Sequence, residues 1–146
     1  DAAGAFTRLM DMGIEPFLVA SSVLGVVAQR LVRVICSRCR IAYTVEPAAP
    51  ERAFLGVPDD QPLALYRGRG CGACGHTGYR GRTSIQEVLA VRKEIRALIN
   101  ARAPADRIRQ QAVEEGMVPL KEDGIRKVLQ GITTVDEVVR VAYVEE

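Results

Sequence analysis

Cys36-Ser37-Arg38-Cys39 and Gly70-Cys71-Gly72-Ala73-Cys74-Gly75 contain every cysteine of this 146-residue chain. Each pair has the Cys-x-x-Cys spacing, in which one tight turn aims two sulfurs at a single ion. Two such pairs make a tetrahedral S4 cage. The stretch between them holds Pro47, Pro50, Pro58 and Pro62 and is expected to be mainly irregular. The reading is a loop excursion closed by a metal, with Zn²⁺ preferred and iron, disulfides or a redox dithiol as the alternatives. Four sulfurs already fill a tetrahedron, so the site reads as structural, and His76, the sole histidine, as a solvent-facing loop residue beside it.

Composition sets the outer bounds. The length suits one domain with a real core, 48% of the residues are hydrophobic, and the absence of tryptophan makes that core aliphatic. A formal charge of +2 argues against an overall nucleic-acid polyelectrolyte. The longest uncharged run, Pro16 to Gln29, falls short of the roughly 20 residues that span a bilayer, and no secretory signal is visible. Cysteines paired for metal fit a reducing cytosol. The chain opens without methionine and with helical periodicity already running, so it reads as a piece of something longer, expected to expose an apolar surface and to self-associate.

Ala2, Ala5, Phe6, Leu9 and Met10 recur at helical spacing until Gly13 stops the pattern. Pro16 can open a second helix, with Phe17, Ala20, Leu24 and Ala28 on one face, buried from several directions. Leu31 to Ile35 predicts a strand delivering Cys36, Leu63 to Tyr66 a short strand, and Ser84 to Val91 another. The remainder predicts four helices: one marked by Ile95, Leu98 and Ile99, one from Pro104, one ending at Gly131, and a last opened by the capping box Thr134-x-x-Glu137. Four short helices of this kind suggest a small bundle.

Gly70 to Gly75 matches G-x-G-x-x-G by coincidence. A dinucleotide fingerprint needs a helix opening from its last glycine, and Gly78 and Gly81 deny one. The glycines instead free backbone N–H groups to bond sulfur. Gly81-Arg82-Thr83 resembles the end of a phosphate loop, but no G-x-x-x-x-G-K-[ST] occurs anywhere. Arg67, Arg69, Arg80 and Arg82 stand without an acidic residue between Asp60 and Glu87, an anion site unless carboxylates from elsewhere pair them. No nucleophile–base pair or H-E-x-x-H motif emerges, so the chain carries no complete active site and no catalytic residue is assigned.

Taken in order, these segments resemble the C-terminal region of the type II secretion and type IV pilus assembly ATPases. Asp1 to Leu18, Ala28-Gln-Arg-Leu-Val-Arg33, the Cys71 knuckle with its Gly78-Tyr-Arg-Gly-Arg82 tail, Glu115-Gly-Met117 and Gly131-Ile-Thr-Thr-Val-Asp-Glu-Val138 carry the resemblance over essentially the whole chain. It implies an α/β, mostly helical fragment in three parts. Residues 1–35 would end a RecA-like motor domain, 36–81 would be a tetracysteine zinc-binding subdomain holding its ion on Cys36, Cys39, Cys71 and Cys74, and 82–146 a strand plus helices. It further implies a homo-hexamer at the cytoplasmic face of the bacterial inner membrane, working with inner-membrane secretion or pilus proteins and no nucleic acid. ATP and Mg²⁺ would bind upstream of Asp1, with Arg82 near the nucleotide, so the fragment alone would be inactive. Ser37 departs from the proline that many relatives carry after the first cysteine. Two rivals stand beside this reading. A zinc-ribbon nucleic-acid binder is weakened by having only Tyr66 and Tyr79 for base stacking, and a rubredoxin-like iron site uses the same S4 cage.

Overall fold

Leu24 is 79% exposed and Phe17 61%, so the face expected to be buried from several directions is open, and the long second helix expected through residue 28 does not form. In the computed structural model, which describes residues 1–142, α1 spans Gly4–Asp11 and α2 only Pro16–Ser22. Val23 is extended, and β1 runs Gly25–Ile35, six residues earlier than the periodicity suggests. The β-branched Val26, Val27, Val32 and Val34 lose side-chain freedom against a helical turn and fit a pleat, which decides the matter. After α1 the chain turns as expected. Gly13 sits at φ +92°, and Ile14 N–H donates to Leu9 O at 3.3 Å, the glycine-capped helix end that satisfies a late carbonyl.

The remaining elements are β2 Arg40–Thr44, α3 Pro50–Leu55, β3 Ala64–Gly68, β4 Tyr79–Ala90, α4 Lys93–Asn100, α5 Ala105–Glu114, α6 Leu120–Leu129 and α7 Val135–Ala142. β1 neighbours β4 in one two-stranded sheet, and β2 neighbours β3 in another. The β2–β3 pair is antiparallel, with Arg40 opposite Gly68 and Thr44 opposite Ala64. β2 and α3 fall where irregular structure was expected. The prolines there punctuate elements without preventing them, since Pro50 occupies the first turn of α3, where no N–H is needed.

Contacts divide the chain into two compact units: Asp1–Gln29 with Gln86–Leu120, and Arg30–Ile85 with Lys121–Glu146. Helices α4 and α5 belong to the first and α6 and α7 to the second, so the bundle of four suggested by periodicity is divided between them. The first unit closes on Phe6, Val19, Leu89, Ile95, Ile99 and Ile108. Its buried carboxylate, Glu87, accepts the backbone N–H groups of Ala2 at 2.8 Å and Leu120 at 3.2 Å.

Two buried charges organise the second unit. Arg52, on α3, donates to four backbone carbonyls: Val45, Pro58 and Gln61 at 2.7 Å and Glu46 at 3.0 Å. It is 4% exposed, and it satisfies the acceptors of an excursion that has little regular ladder to do so. Glu137 is 2% exposed on α7. The capping box forms only in part: Glu137 N–H donates to Thr134 Oγ1 at 3.3 Å, but the carboxylate turns to β1. There it accepts the Arg33 backbone N–H at 2.7 Å and the Arg33 guanidinium at 3.0 and 3.1 Å, with Arg140 at 2.9 and 3.3 Å. Burial alone would push Glu137 up, but the hydrogen bonds from Arg140 and from Arg33 outweigh it and hold the carboxyl at about 2.

Arg52→Met should therefore lower the urea stability of the second unit by about 3 kcal/mol, through stranded carbonyls, and speed amide exchange across residues 45–62, with Arg52→Lys recovering part of the loss. Glu137→Gln should cost about 2 kcal/mol at neutral pH. A free glutamate titrates near 4.3, so the stabilisation from the ionised group is complete above that value and fades as pH falls toward 2. The gap between wild type and Glu137→Gln should narrow over the same interval in paired denaturation curves.

Candidate metal centre

Cys36 follows the last residue of β1, and its N–H donates to Gly78 O at 2.9 Å, which ties the first knuckle to the chain leaving the second. Cys39 immediately precedes β2. Cys71 and Cys74 bracket a single 3₁₀ turn, Gly72–Cys74. Because that turn ends at Gly75 and no helix follows, the G-x-G-x-x-G match is set aside, as expected.

The structure brings the four predicted cysteines together. All four are free thiols, and their Sγ atoms lie within 4.8 Å of one another. The separations are 3.8 Å for Cys36–Cys71, 3.9 Å for Cys39–Cys74 and 3.8 Å for Cys71–Cys74. A tetrahedral ion holding sulfur at about 2.3 Å places its ligands roughly 3.8 Å apart, so the cage has the size zinc requires. Backbone donors surround it: Gly70 N–H points to Cys39 Sγ, and those of Cys71 and Gly78 to Cys74 Sγ, each at 3.3 Å. Two of these three donors are glycines, in line with the role read from the sequence.

The sulfurs are not equivalent. The N–H of Arg38 lowers Cys36, and the N–H of Cys71 lowers Cys74 to about 6, whereas burial pushes Cys39 up to about 11. Cys36 and Cys39 are buried, and Cys71 and Cys74 are partly exposed. The residues thus fit one divalent, borderline-soft cation held by Cys36, Cys39, Cys71 and Cys74. With four protein ligands there is no open position for a reacting water. The close approach of the two chain segments that enter and leave the second knuckle depends on glycine. A Cβ on Gly68 would lie 2.1 Å from Gly78 O, and one on Gly78 would lie 2.6 Å from Gly68 O.

His76 is exposed at φ +63° and is not part of the four-ligand group; its N–H donates to Cys71 O at 2.9 Å. Arg82 is exposed on β4. Arg67 stacks over the Tyr43 ring at 5.1 Å and Arg40 over Tyr66 at 4.1 Å. Sequence reasoning missed Arg52 and the stacks. A lone arginine between Pro50 and Leu55 gives no periodic signal, and a stack requires the β2–β3 register, which pairs Ala42 with Tyr66 and Ile41 with Arg67.

A family model described as Type II/IV secretion system protein matches residues 1–140. The chain belongs to this family. Similar proteins include the Type II secretion system protein E of Pseudomonas aeruginosa, 49% identical over 99% of this chain and 28% of that protein. The Type IV pilus assembly ATPase PilB of Thermus thermophilus is 46% identical over 94% of the chain and 16% of its own length. The Type II secretion system ATPase E of Vibrio cholerae is 46% identical over 96% and 27%. The chain thus spans only 16% to 28% of the length of these three relatives. Among its described residues, no helix is long and apolar enough to cross a membrane.

Elemental analysis of the purified protein should give one zinc per chain and no iron. Cobalt substitution should produce an intense near-ultraviolet thiolate charge-transfer band that Cys39→Ser or Cys74→Ser diminishes. Structural zinc supplies about 10–16 kcal/mol of apparent folding free energy in small peptides, so chelation should remove amide protection from β2 and β3.

Proposed function

We propose that this chain is the zinc-stabilised C-terminal region of an ATPase that powers type II protein secretion, the energy of ATP hydrolysis being spent on assembling a pilus-like fibre. The observation that carries the reading is the coincidence of a whole-chain family match with a closed tetrathiolate cage at zinc dimensions. The match to a pilus assembly ATPase at 46% identity favours type IV pilus assembly as the second reading.

In this proposal the ion on Cys36, Cys39, Cys71 and Cys74 is structural. It fixes the two knuckles and leaves the chemistry elsewhere. These 146 residues contain no phosphate-binding G-x-x-x-x-G-K-[ST], so ATP and Mg²⁺ belong to the part of the whole protein that this chain does not span. Arg82 is the residue here assigned to the nucleotide, where an exposed guanidinium would contact phosphate. Residues 1–35 are assigned to the end of a RecA-like motor domain, 36–81 to the zinc subdomain and 82–146 to the closing strand and helices. The whole protein would work as a hexamer on the cytoplasmic face of the inner membrane, against the membrane components of the secretion machine. A zinc-ribbon nucleic-acid binder is the remaining alternative. It is disfavoured because Tyr43, Tyr66 and Tyr79 all have a guanidinium stacked on them.

The 146-residue chain should show no ATP hydrolysis above background, whereas the whole protein should hydrolyse ATP. In the whole protein, Arg82→Ala should lower kcat/KM by about tenfold, as loss of one charge-assisted phosphate contact does. Turnover by the 146 residues alone would refute this division of roles.

A further inference from the structure

The second unit concentrates positive charge in a way that the metal centre does not require. Residues 16–45 and 61–86 contain no aspartate or glutamate, and no lysine occurs before Lys93, so the charge of these segments is carried by arginine alone. The fold brings the two acid-free segments together. Cys36 N–H meets Gly78 O at 2.9 Å, and Arg69 N–H meets Cys39 O at 3.1 Å. Arg38, Arg40, Arg67, Arg69 and Arg80 all lie within two residues of those contacts, and all five are exposed.

Their side chains stand outside the ion pairs. The ion pairs among the described residues include Arg33 and Arg140 with Glu137, Arg109 with Asp1 and Lys127 with Asp123. Arg40 and Arg67 instead lie over the rings of Tyr66 and Tyr43. A guanidinium held by its face keeps its N–H edge for a planar two-oxygen acceptor. A filled tetrathiolate centre is formally dianionic and would offset only part of the five charges, so a surplus remains for an outside anion.

The surroundings narrow the class of that anion. Tyr43, Tyr66 and Tyr79 each carry an arginine at 4.1 to 5.1 Å, so one face of each ring is already taken and less is open for a nucleobase to stack on. No large hydrophobic residue between Val32 and Glu87 is exposed, so nothing here would enter a bilayer. In addition, β2–β3 pairing places Arg40 and Arg67 on opposite faces of the ribbon. A flat headgroup plane meets one face, whereas a polypeptide can follow both.

We propose that this arginine surface is a docking site for an acidic segment of a partner protein, whose aspartate and glutamate carboxylates are taken two oxygens at a time by the guanidinium edges. Arg80 stands two residues before Arg82 on β4, so the test reads peptide binding without nucleotide and leaves Arg82 unaltered in every variant.

The probe is a fluorescein-labelled peptide of alternating Asp and Glu, about ten residues long, titrated by anisotropy against the metal-loaded chain at low salt, where exposed charges are least screened. Saturable binding is expected, weakening as salt rises. Arg67→Glu/Arg69→Glu/Arg80→Glu should weaken it by about tenfold or more, and the corresponding lysine triple, which keeps charge but loses the fork, by about threefold. The cobalt charge-transfer band reports whether each variant still closes the cage. Should the glutamate triple fail to close it, the lysine triple decides. Absence of peptide binding at low salt would overturn the proposal, as would an unaltered affinity in a folded lysine triple. So would tighter binding of phosphatidylglycerol vesicles or oligothymidylate than of the peptide.

Discussion

Four sulfurs gathered within 4.8 Å cannot all carry negative charge unless a cation stands among them. The second unit is arranged around that constraint. β1 ends where Cys36 must be, β2 begins one residue after Cys39, and a single 3₁₀ turn presents Cys71 and Cys74. Backbone N–H groups of Gly70, Cys71 and Gly78 supply part of the compensation through hydrogen bonds to sulfur. A bound cation would supply the rest. With an ion bound, fold and metal would be one thermodynamic problem, because the S4 cage closes a gap of tens of residues.

The second unit also places ionised groups in its interior and answers each with several partners. Arg52 spends its donors on four carbonyls, and Glu137 accepts from two guanidinium groups and one amide. Neither depends on a single exposed ion pair, which would contribute little. Both make the placement of a segment specific: Arg52 sets the path of residues 45–62, and Glu137 fixes α7 against β1.

Much of this was legible in the sequence, for identifiable reasons. The tetracysteine cage followed from spacing alone, because turn geometry fixes where two sulfurs can point. Helices α4 to α7 followed from apolar periodicity and from Gly131 and Thr134. α2 was misjudged because Phe17, Ala20, Leu24 and Ala28 happen to fall at helical spacing, while the β-branched run from Val23 onward obeyed pleat sterics. β2 and α3 escaped notice because prolines at 47 and 50 read as breakers, although one of them starts a helix. Glu137 was correctly placed at a helix start, but its carboxylate partner is more than a hundred residues away, and no local rule reaches that far.

The excursion between β2 and β3 has a further consequence. It closes on itself twice, once where Val45 N–H meets Leu63 O at 2.8 Å and once around the buried guanidinium of Arg52. Neither closure uses a sulfur. The segment therefore hangs from the hairpin as a cassette whose path is set by its own backbone and by Arg52, with no sulfur ligand taking part.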